Sequence, residues 1–550
     1  MHPIQLLSCS LLQCIEKLFP SCAPRMRGAI DLTMNVDVQR QSFGDLSCNA
    51  ALVLAREVGR SPRDIAGMII KEFQHEYIQR IEIAGPGFLN IWMTLQAFQN
   101  ILKEMRQHGD NFFRLSENAP RVRYSIEFVS ANPTGPLHIG HGRNGVIGDV
   151  LSRVLKFRGY DATAEFYIND AGSQIQKLGN SLKIRCYQEL GLGGEIPEDG
   201  YHGIYLIDVA KCCIKQYGEH AIPTLDNEIF AEYAKEILLD QQRKTLAAYR
   251  IHFDIWFSEL TLHRNGDIER SFELLRQGDH LYEQDGALWF RSSALGDDKD
   301  RVVKKSSGEY TYVASDIAYL YNKLERGFEK IILVLGQDHH GYVGRLQAVL
   351  KAFGRQSDML KVILYQLVML KNEGEALKLS KRAGRIVSLD DVIQLVGADV
   401  ARFFFLHRKA DAHLDFDLSL ALKHTDENPV YYLQYAYVRA LSILQKAQQY
   451  IDDSGTDQVL LLSENEHLLI KKMAALEEIL ATITSSGQTH ILTYYVLELA
   501  HLFHSYYAAQ RVIVPEQRQE TYARLVLVMQ LRDTFALCLR LLGLDTPSEM

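Results

Sequence analysis

The 550-residue chain is 47% apolar and 23% charged, which supplies several buried cores and excludes a disordered polymer, so roughly three or four folded domains are expected. A net charge of −8 and a pI near 6.2 exclude a chain that holds nucleic acid by bulk positive charge, though not one with a local basic surface. Eight cysteines without a CxxC pair or HxxxH spacing beside them fit a reduced, cytoplasmic compartment and give no reason to expect zinc or any other bound metal.

Pro3 to Phe19 reads as a short amphipathic helix. It has no basic leader and is interrupted by Gln13, Glu16 and Lys17, so neither a signal peptide nor a membrane span is expected there or later. Ile30, Leu32, Met34, Val36 and Val38 alternate as in a strand, Asn49–Val58 and Ser61–Phe73 are spaced as helices, and a last pair of strands ends at Met93. Residues 1–112 therefore read as a small α+β domain.

Residues 113–410 read as a Rossmann-like parallel-sheet domain. Val122, Tyr124, Ile126 and Phe128 alternate with Arg121, Arg123, Ser125 and Glu127 in a strand, and Asn132–Pro136, with two prolines, forces a turn. From Ile139 the apolar residues recur at three- and four-residue steps, which opens a helix beside His138-Ile139-Gly140-His141. Unpaired amides at that helix start favour phosphate, the two histidines add donors, and Gly140 lets a nucleotide approach. An insertion of helical pattern, about 175–300, follows. Tyr312 precedes Asp316 by four residues where Ser315 or Asp316 opens a helix, and Ile331–Leu335 is an apolar strand ending in Gly336-Gln337-Asp338. Val362–Leu370 reads as one buried strand and Lys371–Gly374 as a mobile loop. Lys378, Ser380 and Lys381 then stand in a flexible basic segment able to close over phosphates. The two phosphate grips together describe an ATP clamp of the kind that makes adenylates.

Residues 411–550 read as a helical bundle: Tyr431–Gln448, Glu464–Ala481, Ile491–Gln510 and Gln517–Leu542 all carry three- and four-residue apolar spacing. Tyr431, Tyr432, Tyr435 and Tyr437 read first as core, with base stacking as the alternative. Cys212-Cys213 reads as a buried pair.

The run Glu127–Arg143 resembles the signature of the class I arginyl-tRNA synthetases, and the likeness covers the whole chain. Gly85–Asn90, Tyr167–Gln174, Gly296–Val302, Ser315–Tyr319, Gly336–His340, Asn428–Ala436 and Leu542–Met550 are of that family's type. Leu379 stands where the family's lysine signature carries methionine and Arg382 where it often carries serine, the first a similar-volume apolar swap. The resemblance implies ATP-dependent ligation of L-arginine to tRNA through an arginyl-adenylate, with Mg²⁺ accompanying ATP, in a monomer. It implies that Glu127, Tyr312 and Asp316 hold the guanidinium, a planar fork suited to carboxylates, and that Asn132 and Gln337 fix the amino and carboxylate groups. It assigns His138 to both carboxylate and nucleotide, Gly140 and His141 to ATP, and Lys378, Ser380 and Lys381 to phosphate. Phe88 and Asn90 would meet the tRNA elbow, the bundle the anticodon, and activation would need bound tRNA. Two rivals stay open: a nucleotidylyltransferase, which shares the paired histidines but needs neither the paired acids nor the bundle, and a catalytically silent tRNA-binding paralogue.

Overall fold

The computed structural model describes residues 3–372, 375–376, 388–448 and 463–550. Lys378, Ser380 and Lys381 thus lie outside the described residues. Helix α1 (Pro3–Leu18) buries Leu7, Leu11 and Ile15 at four-residue steps; α2 (Ala50–Val58) and α3 (Pro62–Glu72) follow within a residue of their sequence bounds. Ser61 caps α3 by accepting from the Asp64 amide, with Pro62 where a helix needs no donor. These helices accompany an antiparallel sheet in the order β1-β2-β4-β3, with β1 (Leu32–Met34), β2 (Leu46–Cys48), β3 (Ile78–Ala84) and β4 (Phe88–Met93). The strand expected over Ile30–Val38 shrinks to three residues because β1 is an edge strand and its partner β2 is that short. Helix α4 (Leu95–His108) leads out.

The next sheet is parallel throughout and ordered β12-β11-β5-β6-β7, with β11 at Lys330–Gly336 and β12 at Leu360–Tyr365. Strand β5 (Arg123–Glu127) comes first in the chain and lies in the middle, with β6 (Asp161–Ile168) and β7 (Ile255–Ser258) on one side. The strand order reverses between β5 and β11, and in such a sheet the crevice beyond the carboxyl ends at that point takes ligands. Helix α5 (Ile139–Arg158) crosses from β5 to β6 and is buried along most of its length, which its glycines permit. A Cβ at Gly148 would lie 2.1 Å from Phe128 Cγ, and one at Gly142 2.6 Å from Leu389 Cδ1.

Within the insertion expected over about 175–300, α6 (Ser173–Glu189), α7 (Tyr205–Tyr217) and α8 (Asn227–Ala248) pack round Leu178, Leu182, Leu206 and Phe230, whereas β7, inside the same bounds, belongs to the parallel sheet. Cys213 joins that core while Cys212 is exposed, so the cysteines are not a buried pair. A small antiparallel sheet, β8 (Leu281–Gln284), β9 (Ala287–Phe290) and β10 (Arg301–Lys304), precedes α9 (Tyr312–Glu325), β11 (Lys330–Gly336), α10 (Tyr342–Ala352) and β12 (Leu360–Tyr365).

The single strand expected at Val362–Leu370 is two. The chain leaves the parallel sheet at Gln366, whose carbonyl is drawn, with those of Lys409 and Ala412, onto the buried Arg143 guanidinium at 2.7–2.9 Å. Beyond it β13 (Val368–Asn372) pairs with β14 (Glu375–Ala376), so the expected loop begins as strand. It also pairs with β15 (Leu414–Asp417), a strand inside the stretch expected to be helical throughout, whose four residues are too few to show a period. Helix α11 (Leu389–Leu406), broken at Gly397, leads to the bundle of α12 (Pro429–Lys446), α13 (Glu464–Ala474), α14 (Leu476–Ser486), α15 (Ile491–Ala509) and α16 (Arg518–Leu542). The helix expected over Glu464–Ala481 divides at Ala475. Among the described residues no helix is long and apolar enough to cross a membrane.

Candidate active site

Glu127 ends β5, and the backbone then turns sharply: Val129 and Ser130 have φ of +63° and +41°, a conformation a β-branched residue adopts only when its surroundings impose it. Asn144 of α5 imposes it. Its Oδ1 accepts from the Val129 amide at 2.7 Å and its Nδ2 donates to the Val334 carbonyl at 2.8 Å, tying β5 to β11 where the sheet order reverses. Ser130 Oγ accepts from the Tyr167 amide and donates to Glu127 Oε1 at 3.3 Å. The Asn132–Pro136 turn is held from the insertion: Gln242 Nε2 donates to the Asn132 and Gly135 carbonyls at 3.0 and 2.9 Å, and the Tyr205 hydroxyl to that of Thr134 at 2.5 Å. The Asn132 side chain is left exposed.

His138 is the N-cap of α5. Its Nδ1 accepts from the Gly140 and His141 amides at 3.0 and 3.3 Å, while His141 Nδ1 accepts from the His138 amide at 3.2 Å, a reciprocal capping box made by two imidazoles stacked 3.7 Å apart. The amides expected to be unpaired are therefore taken. An acceptor Nδ1 places the ring proton on Nε2, so both rings present an Nε2–H. Both are neutral: burial lowers His138, and burial together with His138 lowers His141 to about 3. Gly140 leaves no room for a Cβ, which would stand 2.9 Å from His138 Cε1. Ser388, where the chain returns from the lysine segment, bridges to His138, and the Leu389 amide donates to the Leu137 carbonyl at 2.8 Å.

Helix α9 opens at Tyr312 after Thr311, whose hydroxyl donates to the Val302 carbonyl, rather than at Ser315 or Asp316. Tyr312, Asp316, Tyr319 and Lys323 then share one face at steps of four, three and four. Lys323, fully buried, bonds Glu127 Oε2 at 2.8 Å and lies 3.4 Å from Glu165 Oε1. Glu165 also accepts from Tyr319 and Arg326; burial alone would raise its carboxyl, but Lys323 and Arg326 hold it down at about 2. Glu127 thus meets the crevice already neutralised on one edge.

Asp316 is different. Its Oδ2 is shielded from solvent and has no hydrogen-bond partner among the described residues, and burial, against the pull of Arg345 and reinforced by Glu259 and Glu127, pushes its carboxyl up to about 7. Glu259, one residue past β7, is buried as well, accepting from Ser315 and Tyr167 and raised by burial. The Tyr167 hydroxyl is raised by burial and by Glu259, Asp316 and Glu127 together, so it stands among all three. Glu127 and Asp316 are therefore near enough to act on each other's charge, one at the end of β5 and the other near the start of α9. Tyr312, the first residue of α9, is 59% exposed. Gln337, also exposed, begins the turn past β11 and borders a cavity of about 410 Å³ with Lys361, Arg408 and His490, which none of the other arginine-site candidates lines.

Sequence reasoning missed Glu259, Lys323, Gln242 and Arg345 and left Tyr167 without a role. Only Glu259 had a signal, since it follows the end of a parallel strand.

On β4, Phe88 is exposed and Asn90 is 6% exposed, the reverse of a buried ring beside a surface amide. They share a face with Trp92, over which Arg80 lies at 4.0 Å. On the bundle Tyr431, Tyr432 and Tyr437 are part-buried, while Tyr435 and Tyr507 are exposed with the Arg439 guanidinium 4.6 and 5.0 Å from their rings.

Three families match in succession: "Arginyl tRNA synthetase N terminal domain" over residues 7–93, "tRNA synthetases class I (R), catalytic domain" over 113–402, and "DALR anticodon binding domain" over 433–550. The arginine--tRNA ligase of Bacillus subtilis is 42% identical over 518 residues, 93% of each chain. The chain belongs to the class I arginyl-tRNA synthetases. That of Anoxybacillus flavithermus is 41% identical over 517 residues, again 93% of each. The Thermus thermophilus arginyl-tRNA synthetase structure superposes over the full length of both chains with a TM-score of 0.76 at 22% identity, which speaks for the fold. Membership carries the family's reaction, ATP-driven charging of tRNA with arginine, and sets the two rival readings aside.

Proposed function

We propose that this synthetase activates L-arginine as the adenylate and passes the arginyl group to a terminal ribose hydroxyl of tRNA, as a cytoplasmic monomer using ATP with Mg²⁺ as its substrate complex. What supports the site reading is that Glu127, Asp316 and Glu259 all act on the Tyr167 hydroxyl, Glu127 standing at the end of the strand that leads through the next turn to the histidine cap. Asp316 supplies the ionic partner for the guanidinium, Glu127 Oε1 a second acceptor and Tyr312 a ring at the entrance. Asn132 and Gln337 hold the amino and carboxylate groups. The arginine carboxylate attacks the α-phosphorus and pyrophosphate leaves; the Nε2–H groups of His138 and His141, with Lys378, Ser380 and Lys381, meet the negative charge that develops, and Gly140 keeps the cap in place. No covalent enzyme intermediate is needed. Residues 1–112 present Phe88 and Asn90 to the tRNA elbow, 113–410 do the chemistry, and 411–550 present Tyr435, Tyr507 and Arg439 to anticodon bases.

ATP–pyrophosphate exchange with each amino acid, with and without tRNA, tests the reading. Arginine-dependent exchange that requires tRNA is expected, and exchange unaffected by Asp316→Asn would remove that residue from the site.

A further inference from the structure

Asp316 has a guanidinium beside it before any substrate arrives. Arg345 of α10 holds Nη1 3.8 Å from Asp316 Oδ2, beyond hydrogen-bonding reach, with its guanidinium over the Tyr342 ring at 4.3 Å. Both Asp316 Oδ2 and Arg345 Nε are shielded from solvent and lack a hydrogen-bond partner among the described residues. Arg345 Nη1 approaches Asp316 Oδ2 and stops short of bonding it, which leaves that unpartnered carboxylate oxygen open to a third party. The charged and titratable groups facing Asp316 come from four elements: Arg345 from α10, Glu259 after β7, Glu127 from β5 and Tyr167 from β6. Arg345 is the cation among them.

We propose that Arg345 is a specificity-determining residue of the arginine site: a fixed positive charge that weakens the pocket for cations in general and leaves full value only to a ligand with several directed donors. This rests on the reading that Asp316 receives the substrate guanidinium. An ammonium is a compact, strongly hydrated point charge, and its gain at a carboxylate is mainly coulombic, which a resident cation at 3.8 Å largely cancels. A guanidinium is weakly hydrated and planar, and its gain comes from paired N–H donors aimed at the lone pairs that Arg345 leaves open on Asp316 and Lys323 leaves open on Glu127. Discrimination is a difference of two affinities, and a repulsive element raises it by hurting lysine and ornithine more than arginine.

The test is ATP–pyrophosphate exchange by the full-length protein, with tRNA present, for L-arginine, L-lysine and L-ornithine, in the parent, Arg345→Gln and Arg345→Lys. Unchanged KM for ATP certifies the fold, and Arg345→Met, which keeps the packing on Tyr342, replaces Arg345→Gln if the amide is not tolerated. The kcat/KM ratio of arginine over lysine falls fivefold or more in Arg345→Gln, with Arg345→Lys keeping a ratio at least threefold higher than Arg345→Gln. A smaller fall, or a lysine variant no better than that, overturns the proposal, because a purely structural role would treat lysine and glutamine alike. A second readout is the pH midpoint of arginine binding, which moves upward in Arg345→Gln as Asp316 loses its neighbouring cation; an unmoved midpoint counts against the proposal. Asp316→Asn in the same assay separates the two readings. Intact arginine use there overturns both, whereas its loss beside an unchanged ratio in Arg345→Gln overturns only the specificity claim.

Discussion

With Asp316 as the proposed partner of the guanidinium, arginine binding becomes proton-coupled. Burial pushes the Asp316 carboxyl up to about 7, and a guanidinium pairs with the ionised form, so binding below that pH is expected to release a proton. Arginine affinity is expected to stay level above about pH 7 and to fall about tenfold per unit below it. Calorimetry at pH 6 in two buffers of different ionisation enthalpy should read close to one proton released; none released would mean that Asp316 is not the partner. The same shift has a sign in stability. Folding raises Asp316, so the free chain gains stability from it as pH falls from about 7 towards 4, whereas Glu165, lowered to about 2, contributes above the unfolded carboxylate value and loses that contribution in acid. The histidines separate two jobs on one ring. Asn at position 138 keeps an oxygen where Nδ1 caps α5 but has nothing where Nε2–H points, so His138→Asn should hold stability within about 1 kcal/mol of the parent. Its pyrophosphate exchange should fall on the order of a hundredfold or more. An Asn variant that keeps most of its exchange rate would show that the Nε2 proton does not touch phosphate.

At the scale of elements, what was legible was what has a single local reading. An alternating run, a turn with two prolines and a three-to-four spacing fix β5, the loop and α5 without reference to anything distant, and they place Glu127, Asn132 and the histidines at strand and helix ends. Asp316 could be placed in the crevice for the same reason. Lys323 could not, because a lysine in the last turn of a helix already has a reason to be there, favouring the carboxyl end of the dipole. Only the fold shows that two turns of α9 carry it past Asp316 to Glu127. The break after Tyr365 was hidden as well, since Arg143, more than two hundred residues away, creates it through three carbonyls. The glycines of α5 give a direct test of how tightly that helix is set. Alanine improves helix propensity by about 1 kcal/mol, and on α3, where Gly67 has open space round it, Gly67→Ala should deliver that gain. Gly148→Ala should instead cost about 1–3 kcal/mol or more by driving a methyl into Phe128, the residue after Glu127, and should raise KM for arginine with it. Urea midpoints of the two variants moving the same way would refute the close packing of α5 on β5.

Across the whole molecule, the catalytic part and the bundle are joined through buried charge as well as apolar packing. Arg402 of α11, fully buried, donates to the Leu542 carbonyl at the end of α16 at 3.0 Å, to the Tyr249 carbonyl after α8 at 2.8 Å, and to Asp149 of α5. Gly543, at φ +70°, makes room for it, since a Cβ there would sit 2.3 Å from Arg402 Nη2. Arg250 closes the same seam by pairing with Asp399 and Asp545. The N-terminal part is fastened to the bundle in turn, Lys471 to Asp45 at 2.8 Å and Arg106 to the Tyr522 hydroxyl at 3.0 Å. A cation that ties three elements can act through its charge partner or through the carbonyls, and the two predict different double variants. Arg402→Met leaves Asp149 buried with only Arg153 and should cost about 3 kcal/mol in urea unfolding, monitored as one transition shared by the catalytic part and the bundle. If Asp149 carries the cost, Arg402→Met with Asp149→Leu should recover most of it, because an apolar pair of similar bulk replaces a buried ion pair at little loss. If the double variant is no more stable than Arg402→Met alone, the carbonyls of Tyr249 and Leu542 hold the seam. Gly543→Ala, which displaces the guanidinium from all three partners at once, should then be at least as destabilising as either variant.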